Sequence, residues 1–203
     1  MAKKGMLIVL SGPSGSGKDT VIAELLKNNG ELKVSISLTT RNKREGEVDG
    51  ESYYFVSREF FQKMLDEGGF LESAEYGTNL YGTPKAPVDE MLAAGKNVIL
   101  KIDVQGAEKI RTLYPDCVTI FILPPSSRVL ESRLRGRASD DEEDIQRRLL
   151  IAKEEIRRCV EYTYVVVNDR LEDAVNDVLA IISSESHKTL RNKKIISEVI
   201  NND

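Results

Sequence analysis

Gly5-Met6-Leu7-Ile8-Val9-Leu10-Ser11 runs directly into Gly12-Pro13-Ser14-Gly15-Ser16-Gly17-Lys18-Asp19-Thr20, and a helical pattern follows through Val21, Leu25 and Leu26 to a stop near Gly30. The first segment is a short, continuous apolar run, the signature of a strand buried on both faces. In the second, glycines let backbone N–H groups turn inward onto an anion. The helix N-terminus adds partial positive charge and Lys18 a full one. Strand, glycine loop, lysine and helix in this order predict a cradle for the phosphates of a nucleotide. The residue directly after the lysine is Asp19, so Thr20 is expected to supply the hydroxyl on the Mg2+ side. Asp19 either approaches a metal-bound water or sits favourably in the first helical turn.

Outward from this unit, apolar runs recur at 98–102, 118–123 and 164–168, each followed by a helical stretch. Strands alternating with helices predict a parallel sheet with crossover helices, an α/β core. Two segments break the alternation. Residues 33–91 carry short strand patterns at 34–38, 53–56 and 70–76, a helix capped by Ser57, and polar loops with glycine. Residues 124–159 read as two charged helices joined through 136–141. Neither segment has enough apolar residues for an independent domain. The expected organisation is a core at 5–33, 92–124 and 160–184, with lobes at 34–91 and 125–159. The tail at 185–203 reads as a polar helix or a frayed end.

Composition narrows the function. Of 203 residues, 29 are basic and 33 acidic, for a net charge of -4, so no global basic field favours a nucleic-acid polymer. Anions must be caught by local clusters. No secretory leader and no membrane span is expected, which suggests a cytoplasmic protein. Cys117 and Cys159 lack metal or redox spacing and read as small apolar packing residues. His187, the only histidine, lies in the polar tail, which excludes a histidine-based triad or zinc site.

The polar loop Ser37-Leu38-Thr39-Thr40-Arg41-Asn42-Lys43-Arg44-Glu45-Gly46-Glu47-Val48-Asp49-Gly50 places two arginines three positions apart. Planar guanidinium groups hold a phosphate dianion through paired charge-assisted bonds, with hydroxyls of Ser37, Tyr53 and Tyr81 as neutral donors. Alone, the loop also fits an ordinary solvated charge run. Taken with Gly12–Lys18, Tyr81-Gly82-Thr83, Ile102-Asp103-Val104-Gln105-Gly106 and Val166-Val167-Asn168-Asp169, it resembles guanylate kinase in order and spacing. The likeness runs from about residue 7 to 180. The arginine loop and the Val-Asn-Asp segment are not general features of phosphate-loop proteins.

The resemblance implies a P-loop kinase with a parallel-sheet core, an inserted mixed α+β lobe that binds the nucleoside monophosphate, and a helical lid. Its activity would be transfer of a phosphoryl group from ATP, with Mg2+, to GMP. It implies that Gly12, Pro13, Ser14, Gly15, Ser16, Gly17, Lys18, Asp19 and Thr20 hold ATP, together with Arg133, Arg137, Asn168 and Asp169. Ser37, Arg41, Arg44, Tyr53 and Tyr81 would hold the GMP phosphate. Glu72, Thr83 and Asp103 would face the guanine, and Gly82 would belong to the GMP-binding set. Lys18, Arg44, Arg137 and Arg148 would act in transfer. Base chemistry agrees: a carboxylate at Glu72 accepts from the guanine N1 and 2-amino donors, while adenine offers an acceptor there, a mismatch of about 1–3 kcal/mol per group.

Lys101 departs from the pattern, since the family usually carries an acidic residue two positions before Asp103. It is expected to pair with Asp103 or a neighbouring carboxylate, or to act as a further phosphate cation. Two other readings compete. A non-catalytic guanylate-kinase-like module holding a phosphopeptide needs neither an intact phosphate loop nor lid arginines. A kinase of a sugar phosphate has no use for Glu72 and Thr83.

Overall fold

The computed structural model describes residues 4–136 and 142–201. Its main sheet is five-stranded and wholly parallel, with β1 (Leu7–Ser11) in the centre between β7 (Asn97–Lys101) and β8 (Val118–Leu123). β2 (Leu32–Val34) and β9 (Tyr164–Val167) form its edges. Every residue of β1 is buried, as its unbroken apolar run requires. Strand side chains alternate between faces, which divides the core in two. Ile8 and Leu10 pack against α1 (Lys18–Asn28) and α7 (Leu171–Ser186), through Val21, Leu25, Val175 and Val178. Leu7 and Val9 pack against α3 (Lys85–Ala93) and α4 (Val104–Leu113), through Val88, Leu92, Ala107 and Ile110.

A second sheet of four strands has the order β4 (Tyr54–Phe55), β3 (Leu38–Thr39), β6 (Asn79–Pro84), β5 (Phe70–Tyr76). β3 and β4 are parallel, while β6 is antiparallel to both β3 and β5. α2 (Arg58–Asp66) joins β4 to β5, with Ser57 Oγ accepting from Phe60 N at its cap and Phe61 stacked on Phe70 at 4.5 Å.

Two details differ from the sequence reading. The strand expected at 34–38 is two strands in two sheets. Val34 ends β2 on the main sheet, Ser35 N still donates to Ile99 O, and Ser37 O then accepts from Tyr54 N in the second sheet. β6 has no clear strand signal in the sequence, because Gly82 and Pro84 punctuate it. Gly82 is required there: an added methyl would stand 2.7 Å from the Phe70 ring and 2.9 Å from the Phe61 ring.

α5 (Ser127–Arg135) and α6 (Glu142–Arg157) form the charged helical pair, packed through Leu130, Leu134, Leu149 and Ala152. In the tail, α8 (Lys193–Asn201) is formed, but it is amphipathic rather than polar, with Ile195, Ile196, Val199 and Ile200 exposed. The segment before it is anchored by buried Glu185, which accepts from the Tyr164 hydroxyl and pairs with Lys188, both at 2.6 Å. Both cysteines are free and half-buried, and His187 is exposed. No helix among the described residues is long and apolar enough to cross a membrane.

Candidate active site

The glycine loop leaves the carboxyl end of β1, where ligands bind in open α/β sheets. Ser11 Oγ donates to Ile102 O at 2.8 Å and locks β1 to the start of the 102–106 segment. Gly17 opens α1 at φ 84, a left-handed conformation that disfavours any side chain, and an added methyl would lie 2.3 Å from Asn168 Nδ2. Asn168 is buried after β9, and its Nδ2 donates to Ser16 O at 2.8 Å. Arg133 joins the same carbonyl: its guanidinium donates to Ser16 O at 3.3 Å and to Asn168 O at 3.0 Å. Arg148 donates to Ser14 Oγ at 2.5 Å.

The two charged helices therefore rest on the loop, with Leu130 and Leu134 against Gly15. Buried Ser16 Oγ has no hydrogen-bond partner among the described residues, so the loop retains a donor for a ligand. A cavity of about 340 Å³ beside it is lined by Gly15, Gly17, Thr20, Arg133, Asn168, Asp169 and Leu171. Gly12, Pro13, Lys18 and Asp19 complete the turn and the start of α1. Arg137 lies outside the described residues.

The second cluster sits on the smaller sheet. Arg41 forms a two-pronged pair with Glu47, at 2.9 and 2.7 Å, and the same carboxylate accepts from Arg44 N at 2.8 Å. Arg41 pushes the Glu47 carboxyl down to about 2, so it stays charged and fixes the guanidinium. The Arg41 guanidinium stands 5.4 Å from the Tyr53 ring centre, and Tyr53 and Tyr81 meet edge-on at 6.0 Å. Burial raises the Tyr53 hydroxyl above its ordinary range, keeping it a neutral donor. Arg44 is exposed at the loop edge, and Ser37 is half-buried in the crossover between the sheets. The sequence reading gave Glu47 no part in holding Arg41. Its signal is an acid six positions after Arg41 inside a glycine-bounded turn.

Glu72 and Thr83 face each other across β5 and β6, and Thr83 Oγ1 donates to Glu72 Oε1 at 2.6 Å. Glu72 is only 7% exposed; burial raises its carboxyl above the usual range, with the Thr83 bond opposing. Asp103 caps α4, its Oδ1 accepting from Gln105 N at 3.0 Å and Gly106 N at 2.8 Å. Gly82, implied in the GMP-binding set, presents its α-carbon to the Phe61 and Phe70 rings.

Gly106 packs against Glu72: a methyl there would stand 2.7 Å from Glu72 Oε2. Gly106 is helical, so the obstacle is the carboxylate and not the backbone. Gly106→Ala is expected to raise KM for the acceptor about tenfold by displacing Glu72, with kcat nearly unchanged and a stability loss of about 1–3 kcal/mol from overpacking. Steady-state kinetics decide it, and an unchanged KM counts against the placement.

A second missed residue is Glu155 on α6. Burial pushes its carboxyl up to about 7, opposed by the charge of Lys18 and reinforced by Asp103. The pair Glu154-Glu155 on a charged helix gives no sequence signal that one of them turns inward. An ordinary glutamate titrates near 4.5, so the native state retains the proton up to about 7. Its contribution to stability is full below the lower value and is lost as pH rises through the upper one. Glu155→Gln should thus match wild type near pH 4 and be more stable by about 1–3 kcal/mol at pH 8. Melting curves across this range test it, and a pH-independent difference would refute it.

Lys101, at the end of β7, pairs with Asp19 Oδ1 at 3.1 Å and lies 5.0 Å from the Tyr53 ring centre. The phosphate loop and the arginine cluster are thereby neighbours. The guanylate kinase family model matches residues 4–185. A guanylate kinase of Carboxydothermus hydrogenoformans is 51% identical over 96% of this chain and 96% of its own length. One of Clostridioides difficile is 46% identical over 97% and 96%. The crystal structure of guanylate kinase from Anaplasma phagocytophilum superposes with a TM-score of 0.79 at 36% identity, covering 93% of this chain and 90% of that one. With motifs, fold and relatives in agreement along nearly its whole length, this chain belongs to the guanylate kinase family.

Proposed function

We propose that the protein transfers the terminal phosphoryl group of ATP to GMP, giving ADP and GDP. The observation that carries this reading is the buried Glu72, bonded to Thr83 and set in the sheet that also bears the Arg41–Tyr53–Tyr81 cluster. A carboxylate accepts from both guanine donors, and Thr83 is placed to orient it. Arg41, Arg44, Tyr53, Tyr81 and Ser37 hold the acceptor phosphate, and Asp103 supports the base side. The glycine loop, Lys18, Arg133, Asn168 and Asp169 hold ATP.

The acceptor phosphate oxygen attacks in line and ADP leaves, so no covalent enzyme intermediate forms. Lys18, Arg44, Arg148 and Arg137 neutralise the charge that develops on the transferring group. Thr20, which lines the cavity beside the glycine loop, offers the oxygen ligand that fits Mg2+. When bound, Mg2+ neutralises charge on the ATP phosphates. Arg133 and Arg148 contact the loop from the lid, which favours catalysis over a phosphopeptide module.

The reading places the protein in cytoplasmic purine nucleotide metabolism, where GMP is recycled. The segments 34–91 and 125–159 are proposed to close over the core as semi-rigid bodies, excluding water. Small-angle scattering should show compaction only with both nucleotides bound. The deciding assay couples ADP release to Mg-ATP with GMP, AMP, UMP, CMP or a ribose phosphate. GMP should dominate, and binding of ATP without GMP turnover would end the proposal.

A further inference from the structure

Lys101 is the cation of this site that comes from the main sheet rather than from the second sheet, the lid or the glycine loop. Its backbone lies in register with Leu10, one residue before β1 ends and the phosphate loop begins. Its side chain is 26% exposed and reaches two partners that belong to different nucleotide sites. Asp19, at 3.1 Å, lies in the first turn of α1 directly after Lys18. The Tyr53 ring, at 5.0 Å, is also flanked by Arg41 at 5.4 Å. Burial works against the ammonium, yet the charge and hydrogen bond of Asp19 help hold Lys101 above the ordinary lysine range.

Asp19 is 67% exposed, and a pair with so wet a partner contributes little to stability. Its geometry matters more. An ammonium is a point charge with three donors, so one group can hold a carboxylate and still face a π-cloud. A shift of the α1 start on filling of the phosphate loop would move Asp19, and the 3.1 Å pair and 5.0 Å ring contact of Lys101 give that movement a path to Tyr53.

We propose that Lys101 is a positioning residue that couples the two substrate sites, the chain Asp19–Lys101–Tyr53 making each nucleotide favour the binding of the other. The proposal rests on the ATP:GMP reading. Coupling of this kind is reciprocal and typically amounts to roughly 5–150-fold in affinity, so about tenfold is expected here.

Calorimetry tests it with the full chain, measuring GMP affinity alone and with saturating ADP, for wild type, Lys101→Met, Lys101→Arg, Asp19→Asn and Asp19→Asn/Lys101→Met. Wild type should bind GMP about tenfold tighter with ADP present. Lys101→Met and Asp19→Asn should each abolish most of that gain, and Lys101→Arg should retain it. The double variant should be no worse than either single one. In turnover, Lys101→Met should raise KM for GMP more than it lowers kcat, a split that general loosening of the fold would not give. Should Lys101→Met fail to fold, Asp19→Asn and Lys101→Arg carry the same comparison. An unchanged ADP-dependent gain in the Met variant, or effects of the two single variants that multiply, overturns the coupling while leaving a GMP-active wild type intact. A wild type that neither binds nor phosphorylates GMP overturns the functional reading and the coupling with it.

Discussion

Glu72→Gln is expected to lower kcat/KM for GMP by about a hundredfold to a thousandfold, almost entirely through KM. Glutamine keeps the shape of Glu72, and its carbonyl can still accept the 2.6 Å bond from Thr83. The other end then presents an NH2 donor to guanine, whose edge offers donors of its own. Two buried groups are left facing like partners, at about 1–3 kcal/mol each. Adenine has an acceptor at that position, so the same change should narrow the preference for GMP over AMP. The base is far from the bonds that change, and removing an interaction that is equally strong in ground and transition states raises KM alone. The fold should survive, because burial already disfavours the charge on Glu72. The ADP-release assay with GMP and AMP measures both ratios. A loss smaller than tenfold in kcat/KM for GMP would remove Glu72 from base recognition.

The parts legible in the sequence are those whose cause is local. The apolar run of β1 and the glycines after it dictate a buried strand and a tight glycine turn before α1, and the structure has both. The alternation of strands and helices yields the parallel core for the same reason. Features set by distant neighbours were not legible. β6 hides behind Gly82 and Pro84 because the need for Gly82 arises from the Phe61–Phe70 stack, more than ten residues away. Glu47 looks like one more charge in a polar loop until Arg41 folds back on it. Glu155 looks like a solvated helix residue until packing of α6 half-buries it, while Glu154 stays exposed. Lys101 had several open partners, and only the register of β7 beside β1 brings it to Asp19. The resemblance supplied site residues but no partner for this lysine, since it departs from the pattern at that position.

Lys18→Met is expected to lower kcat by about a thousandfold or more while changing KM for GMP only a few-fold. Methionine preserves the length and apolar stem of lysine, so α1 and its packing through Val21 and Leu25 should persist. What disappears is a fixed positive charge at the point where the glycine loop meets the helix. Loss of one preorganised donor at a developing charge costs about 10²–10³ in kcat. A full cation on a transferring phosphoryl group lies at the upper end of that range or beyond. The acceptor cluster around Arg41 and Tyr53 is on the other sheet, so GMP binding should be largely spared. The variant also probes Glu155. Lys18 opposes the burial that pushes that carboxyl up to about 7, so removing the lysine should raise it further. The stability loss assigned to Glu155 should accordingly grow and reach completion at higher pH in Lys18→Met, while Lys18→Arg leaves it near its original extent. A kcat within tenfold of wild type, with the melting profile unmoved, would show that Lys18 neither carries the transfer nor faces Glu155.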